Sequence, residues 1–325
     1  MTLMPVFTSS LGSLLKQYVE HRRMRGYKSS SGEARLRQFD TFVKASLIES
    51  QTLTKEVVEQ YIAGRPGEKQ STQWNRISTV RCFGKYLARC GIDAYVLPHG
   101  VLSVAKYNFV PHVFTTDEVT RLMSAAYSLP FCAHSPQRHI VIPMMLRLVY
   151  GCGLRISEAC KLRVEDVDLT TGVLFIRTTK FNKDRYVPMS QPLHQRCQSY
   201  AGQVNLRSNT ETAFLPSPTG GFYSKSTAGY AFRQCLVIAG IPHFDDGPTL
   251  HSLRHSFALH NLVRWGKDGK DINAMLPYLS AFMGHENLLG TERYLRITTE
   301  MFPEIRARIS AGCSWLIPEV PRHEE

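Results

Sequence analysis

Several signatures are missing from this 325-residue chain, and each absence removes a class of function. No GxxxxGK[ST] occurs. GRPGEK (64–69) has the wrong spacing and no Ser or Thr after its Lys, so a phosphate-cradling loop is excluded and ATP hydrolysis is not expected. GCG at 151–153 follows a helical pattern and lacks the third glycine of a dinucleotide fingerprint. Long hydrophobic runs are also absent. The apolar stretch IVIPMML (140–146) stops at Arg147, far short of the roughly 20 residues that a membrane span needs. MTLMPVFTSS has no charged start, apolar block or cleavage site, and so does not read as a signal peptide. The cysteines at 82, 90, 132, 152, 160, 197, 235 and 313 are scattered with no CxxC pair, which suits buried, reduced thiols in a cytoplasmic protein. There is no internal repeat and no low-complexity tract.

What is present is an ordinary globular composition with uneven charge. The chain is 43% hydrophobic and 20% charged, which excludes disorder, and its length allows two domains with ample core. The net charge is +12. Residues 1–110 carry 16 Lys/Arg against 8 Asp/Glu, and residues 111–325 carry 23 against 19, so +8 of the +12 lies in the first third. A field so lopsided points to a polyanion partner, either nucleic acid or an anionic membrane surface, and the lack of a span or signal segment disfavours the membrane.

Hydrophobic spacing divides the chain. Helices are expected near 10–30, with Leu14, Leu15, Tyr18 and Val19 on one face, then near 33–46, 54–63 and 70–90, forming a helical bundle over residues 1–96. Residues 97–114 hold two prolines, a glycine and no helical period, and read as a linker. A second domain, 115–311, starts at the cap signal Thr115-Thr116-Asp117, and a tail follows over 312–325. Within it, helices are expected near 138–150, 224–239, 249–264, 271–283, 291–297 and 301–311. VEDVDLTTG reads as a turn, and VLFIRTT (173–179) and RYVPM (185–189) read as two strands of a hairpin. The fold class is therefore mainly α with a small antiparallel sheet.

Metal chemistry has two candidate places. His251 and His255 stand i, i+4, as zinc histidines often do, but Ser252 occupies the place of a protease glutamate and Arg254 adds repulsion. Glu165, Asp166 and Asp168 have the carboxylates for magnesium, yet they lie in a connection before a strand, so a solvated turn is the simpler reading. Neither calls for a metal or a cofactor.

A third set of residues suits a phosphodiester. Arg155 follows a double-glycine break with Glu158 three residues on. Lys180 is at the hairpin tip, His251 and Arg254 share a helical face, and Tyr294 comes nine residues after His285. Guanidiniums can hold the non-bridging oxygens and the charge that grows on them, a Lys can protonate a leaving oxygen, and a His can take a proton. Tyrosine is a covalent nucleophile, but with a pKa of about 10 it needs help at neutral pH. Each residue also has a bland reading. A helical tyrosine is usually a core ring, Arg155 pairs with Glu158, His251 is a satisfied histidine, and Lys180 is a solvated tip.

Taken in order, these segments resemble the tyrosine recombinase (phage integrase) family and its Xer-like branch. GCGLRISEACKL is similar to the box TGLRxSExxxL, TTKFNKDRYVPM to GKGxKxRxVPL, HSLRHSFALH to HxLRHTFAT, and MGHENLLGTERYLRI to LGHxxxxTTxxYxH. The resemblance spans about 140 residues, and residues 1–96 are weakly similar to the family's core-binding domain.

The resemblance implies a helical core-binding domain joined to a mixed α+β catalytic domain in a clamp on duplex DNA. It implies that Tyr294 attacks the scissile phosphate to give a 3′-phosphotyrosine and a 5′-hydroxyl, and that a partner strand's 5′-hydroxyl reverses the step through a Holliday junction, without ATP or metal. Arg155, Arg254 and His285 then bind the phosphate, Lys180 is the general acid, His251 is an acid/base near the tyrosine, and Glu158 orients the site. The implied assembly is a homotetramer on paired sites, with a second recombinase or accessory protein possible and a mobile element as the setting. Arg22, Arg23, Arg25, Lys28, Arg76, Arg81, Lys183 and Arg185 are the expected DNA contacts. The chain departs from the family in WGKDGKDINAMLPYLSAF, where a lengthened loop near 265–271 is expected, and in Arg293, Leu295 and Arg296 around the tyrosine. Three alternatives stay open: a non-catalytic DNA-binding relative, a type IB topoisomerase and a metal-dependent nuclease.

Overall fold

The computed structural model describes residues 5–27, 30–48, 50–100, 111–177, 184–204, 212–244, 247–285, 291 and 294. Lys28, Lys180, Lys183 and the tail over 312–325 lie outside the described residues, as do the expected helix at 301–311 and most of that at 291–297. The chain forms two compact units, Met1–Phe109 and Val110–Glu325.

The first unit contains helices α1 (Gly12–Met24), α2 (Ser30–Ala45), α3 (Lys55–Ile62) and α4 (Gln70–Arg89). Apolar faces at helical spacing make its core, where Leu15, Val19, Leu36, Phe39, Val58, Phe83 and Leu87 are all buried. Thr54 caps α3 by accepting from the Val57 amide, and Phe39 meets Tyr61 edge-on at 4.8 Å. Arg76 is buried on α4. It donates to the carbonyls of Tyr61 and Ala63 at the end of α3 and pairs with Glu68, so in this structure its guanidinium is engaged as a structural tie. A DNA contact there, as expected from the sequence, would need the guanidinium to leave these partners.

The second unit contains α5 (Thr116–Tyr127), α6 (Arg138–Gly151), α7 (Ile156–Ala159), strands β1 (Val167–Asp168), β2 (Val173–Ile176) and β3 (Arg185–Pro188), and helices α8 (Gln191–Val204), α9 (Lys225–Ile238), α10 (Leu250–Lys267) and α11 (Ile272–Met283). Helix α6 is apolar nearly all round, so it takes the central place and packs against α5, α8 and α10. A capping box starts α5: Thr115 Oγ1 accepts from the Glu118 amide at 3.1 Å and the Glu118 carboxylate from the Thr115 amide at 2.8 Å.

The sheet has the order β1-β2-β3, antiparallel throughout, with Leu174 opposite Val187 and Phe175 opposite Tyr186. The two-residue period sends Leu174, Ile176 and Val187 into the core and leaves Tyr186 exposed. Three expectations need correcting. The turn at VEDVDLTTG contains a 3₁₀ turn and a third strand, β1, which is too short to show a period of its own. Helix α8 was also missed, although Leu193, Cys197, Tyr200 and Val204 are spaced for one buried face. No lengthened loop follows Trp265. Helix α10 runs on to Lys267 instead, and three residues connect it to the Asp271 cap of α11.

No helix of the described residues is long and apolar enough to cross a membrane.

Candidate active site

Two glycines shape the site. Gly153 adopts φ +58°, and a Cβ there would lie 2.5 Å from the Phe257 ring, so no other residue fits. The break lets the chain reverse from α6 into α7 and brings Arg155 to the N-terminus of that short helix. There the Arg155 amide donates to Glu158 at 2.9 Å. Gly284 ends α11 in the left-handed conformation, φ +68°. Its amide reaches the Ala281 carbonyl and the His285 amide reaches the Ser280 carbonyl, both at 3.0 Å, which is a Schellman closure. His285 is thereby aimed back across the helix end.

Three arginines converge on that end. Arg185 Nε donates to the Phe282 carbonyl at 2.9 Å, Arg254 Nη2 to that of Met283 at 2.7 Å, and Arg155 Nη2 to that of Gly284 at 2.7 Å. These carbonyls are the unpaired acceptors at the negative end of the helix dipole, and cations are favoured there. Glu158, also buried, holds the group together. It accepts from Arg155 Nη1 at 2.7 Å and from Arg185 at 3.1 and 2.9 Å. Burial pushes its carboxyl up, but the Arg185 and Arg155 hydrogen bonds outweigh this and leave it below the usual range.

Arg254 is only 1% exposed. Burial and the nearby Arg155 charge push it down to about 10, so it stays a cation at neutral pH. Both histidines are depressed. Desolvation, then the Arg254 and Arg155 charges, push His285 down to about 4, and its Nδ1 lies 2.7 Å from Thr291 Oγ1. The same causes bring His251 to about 4.

Tyr294 is 3% exposed, its ring stacked on His285 at 6.2 Å, and its hydroxyl lies 2.8 Å from His255 Nδ1. Arg155, Glu158, His251, Arg254, His285 and Tyr294 therefore gather in one place.

Sequence reasoning missed two participants. Arg185 was expected to touch DNA, but it is engaged by Glu158 and the Phe282 carbonyl. Its place as the first residue of the strand RYVPM gives no sign of this. His255 entered only as a zinc partner for His251. The two rings instead meet edge-on at 4.5 Å, and no group of three or more His, Cys, Asp or Glu suited to a metal occurs among the described residues. The acidic run is similarly occupied: Asp166 and Glu165 pair with Arg177, and Asp168 accepts from the Thr170 and Thr171 amides.

Other expected DNA contacts lie in the first unit. Arg25 is exposed, and Arg22 lies 5.7 Å from the Tyr18 and Tyr27 ring centres. Arg23 pairs with Glu33 at 2.8 Å, and Arg81 donates to the Leu97 and Pro98 carbonyls. A groove of about 760 Å³ is lined by residues of α2 and α4, Arg76 among them, together with Arg65 and Glu68. It carries Arg35, Arg37 and Arg65 beside Gln38, Thr41 and Asn75, and none of the three arginines was singled out by the sequence.

Comparison with known proteins gives a consistent set of likenesses. The model of the phage integrase family matches residues 112–301. The integrase/recombinase y4rB of Sinorhizobium fredii is 30% identical, over 93% of this chain and 97% of its own. A tyrosine recombinase of Pseudothermotoga lettingae is 27% identical over 91% and 96%. Among solved structures, the XerH site-specific recombinase bound to its palindromic difH substrate covers 94% of this chain and 86% of its own, with a TM-score of 0.64 at 15% identity. The Tn1549 transposon integrase in complex with transposon right end DNA covers 89% and 99%, with a TM-score of 0.63 at 18% identity. At such identities the two structures speak for the fold.

Proposed function

The chain belongs to the phage integrase family, the tyrosine recombinases, and from that premise we propose that it cuts and rejoins duplex DNA with Tyr294 as nucleophile. The observation that carries this reading is the meeting of Arg155, Arg254 and His285 at one helix end with Tyr294 stacked against His285. Two guanidiniums and a histidine make a cradle for the non-bridging oxygens of a phosphodiester and for the charge that grows on them. Tyr294 attacks phosphorus and forms a 3′-phosphotyrosine. Lys180, from the hairpin between β2 and β3, protonates the departing 5′ oxygen. A 5′-hydroxyl of the partner strand reverses the step, so the bond energy is kept and neither ATP nor metal is needed.

The unit containing residues 1–96 serves as the core-binding domain. Arg37 and Arg65 in its groove are better placed to meet phosphates than Arg76, which is buried. Four copies acting in pairs through a Holliday junction complete the reaction. The integrase/recombinase relative and the fold shared with a transposon integrase support a role in moving a mobile element.

The test uses a pool of random-sequence duplexes bearing strand nicks, incubated with the full chain in EDTA and without nucleotide. The wild type should leave SDS-resistant protein–DNA adducts, and Tyr294→Phe should leave none. An adduct from the Phe variant, or wild-type cleavage only with added metal, overturns the reading. The duplex enriched in the adducts then becomes the defined substrate.

A further inference from the structure

A free tyrosine is a weak nucleophile. At a pKa of about 10, roughly one phenol in a thousand is ionised at neutral pH, so a base within hydrogen-bond reach of the hydroxyl decides the rate of attack. The residue in that position is His255, whose Nδ1 lies 2.8 Å from Tyr294 Oη. We propose that His255 is a catalytic residue, the base that accepts the Tyr294 proton during cleavage and returns it during rejoining. The proposal rests on the reading of Tyr294 as nucleophile.

The surroundings fit that task. The Tyr294 ring is clustered with apolar residues of α10 and α11 such as Leu259, Leu262, Leu279 and Met283, so its position is set by packing and the hydroxyl is directed at α10. His255 follows Arg254 on the same helix, so the base and a phosphate-holding cation move as one rigid piece. His251, one turn earlier, meets the His255 ring edge-on at 4.5 Å and fixes its plane. The charged and titratable groups around the pair are His251 and Arg254 on α10, His285 stacked over Tyr294, and Arg155 beyond them. With His251 and His285 pushed down to about 4, both are neutral near pH 7, so the charges that oppose a proton on His255 are those of Arg254 and Arg155, and the anionic phosphate held by these two guanidiniums offsets them during attack.

In the step itself, the Oη–H proton passes to His255 Nδ1 as the Oη–P bond forms. The P–O5′ bond breaks, and the leaving oxygen takes its proton from the general acid. On rejoining, the 5′-hydroxyl oxygen attacks phosphorus, the P–Oη bond breaks, and His255 Nδ1–H gives its proton back to Oη. No oxidant, metal or further reactant enters. His255 must carry its other proton on Nε2 for Nδ1 to accept.

The experiment measures single-turnover adduct formation on the duplex recovered above. His255→Gln keeps a hydrogen-bonding side chain of similar reach that cannot take a proton, and should slow the step by about 10²–10⁴ at pH 7, the range for a lost general base. DNA affinity should be unchanged. Replacing Tyr294 by a ring-fluorinated tyrosine, whose phenol ionises at lower pH, should restore most of the lost rate in His255→Gln. The same replacement should do little for His251→Gln. Cleavage by His255→Gln at the wild-type rate overturns the proposal. So does a slow His255→Gln that the acidic phenol fails to rescue, because a purely structural role is blind to phenol acidity. If the wild type itself forms no Tyr294 adduct, it is the nucleophile assignment that fails, which is a separate result.

Discussion

A histidine beside two fixed guanidiniums cannot easily charge, and this has a consequence for stability. His285 has a folded pKa of about 4 against an ordinary 6.5. Above pH 6.5 the imidazole is neutral in both the folded and unfolded chain, and the environment costs nothing. As pH falls below 6.5 the unfolded chain takes up a proton that the folded one refuses, so stability drops until pH passes the folded value near 4. The thermal midpoint of the DNA-free protein should therefore fall between pH 6.5 and 5, and His285→Gln should fall less steeply in that window. Parallel curves for the two proteins would show that His285 is not held neutral. Much of this residue-scale site was legible in advance, since Arg155, His251, Arg254, His285 and Tyr294 each sat in a recognisable box. His255 was not, because its role depends on a contact 39 residues away that no spacing rule encodes. Tyr294 also joins two readings that the sequence set against each other: it is a packed core ring and it adjoins the cluster of arginines and histidines.

At the scale of elements, the site is organised by the C-terminus of α11. Its last carbonyls are claimed in succession by an arginine from β3, one from α10 and one from the start of α7. Arg185 is the member that also locks Glu158, and through Glu158 it sets Arg155. Replacing it with Leu leaves a buried carboxylate with one partner fewer and the Phe282 carbonyl unpaired. Breaking a buried pair of this kind costs about 3–5 kcal/mol. Arg185→Leu should shift the urea midpoint accordingly and should also slow cleavage by protein that remains folded. Arg185→Lys should recover stability in part but lack the two-pronged grip. A Leu variant as stable as the wild type would mean that the ion pair contributes little. The sequence foretold α10 and α11 well, because their apolar faces are long and capped by Asp271 and Gly284. It missed β1, where two residues carry no period, and it misjudged the α10 end, because the added length of WGKDGKDINAMLPYLSAF read as a longer loop where the chain instead extends the helix to Lys267.

At the scale of the whole molecule, charge was the most legible property and the identity of the useful cations the least. The sequence showed an excess of +8 in residues 1–110. It could not show that Arg76 is buried against Glu68 and two carbonyls while Arg37 and Arg65 stay exposed on a groove, because a linear pattern does not separate a cation that faces solvent from one that ties two helices. The two kinds of arginine should behave differently when removed. Each phosphate contact releases counterions, so the logarithm of DNA affinity should fall linearly with the logarithm of salt, with a slope of about −0.9 per contact. Arg37→Ala and Arg65→Ala should each make that slope shallower by roughly one unit, without moving the thermal midpoint. Arg76→Ala should do the reverse, lowering the midpoint by stranding Glu68 and the Tyr61 and Ala63 carbonyls, with the salt slope of the folded fraction unchanged. A salt slope insensitive to Arg37 and Arg65 would move the DNA-facing surface of this unit elsewhere. A slope that changed only with Arg76 would require that residue to leave its buried pair when DNA binds.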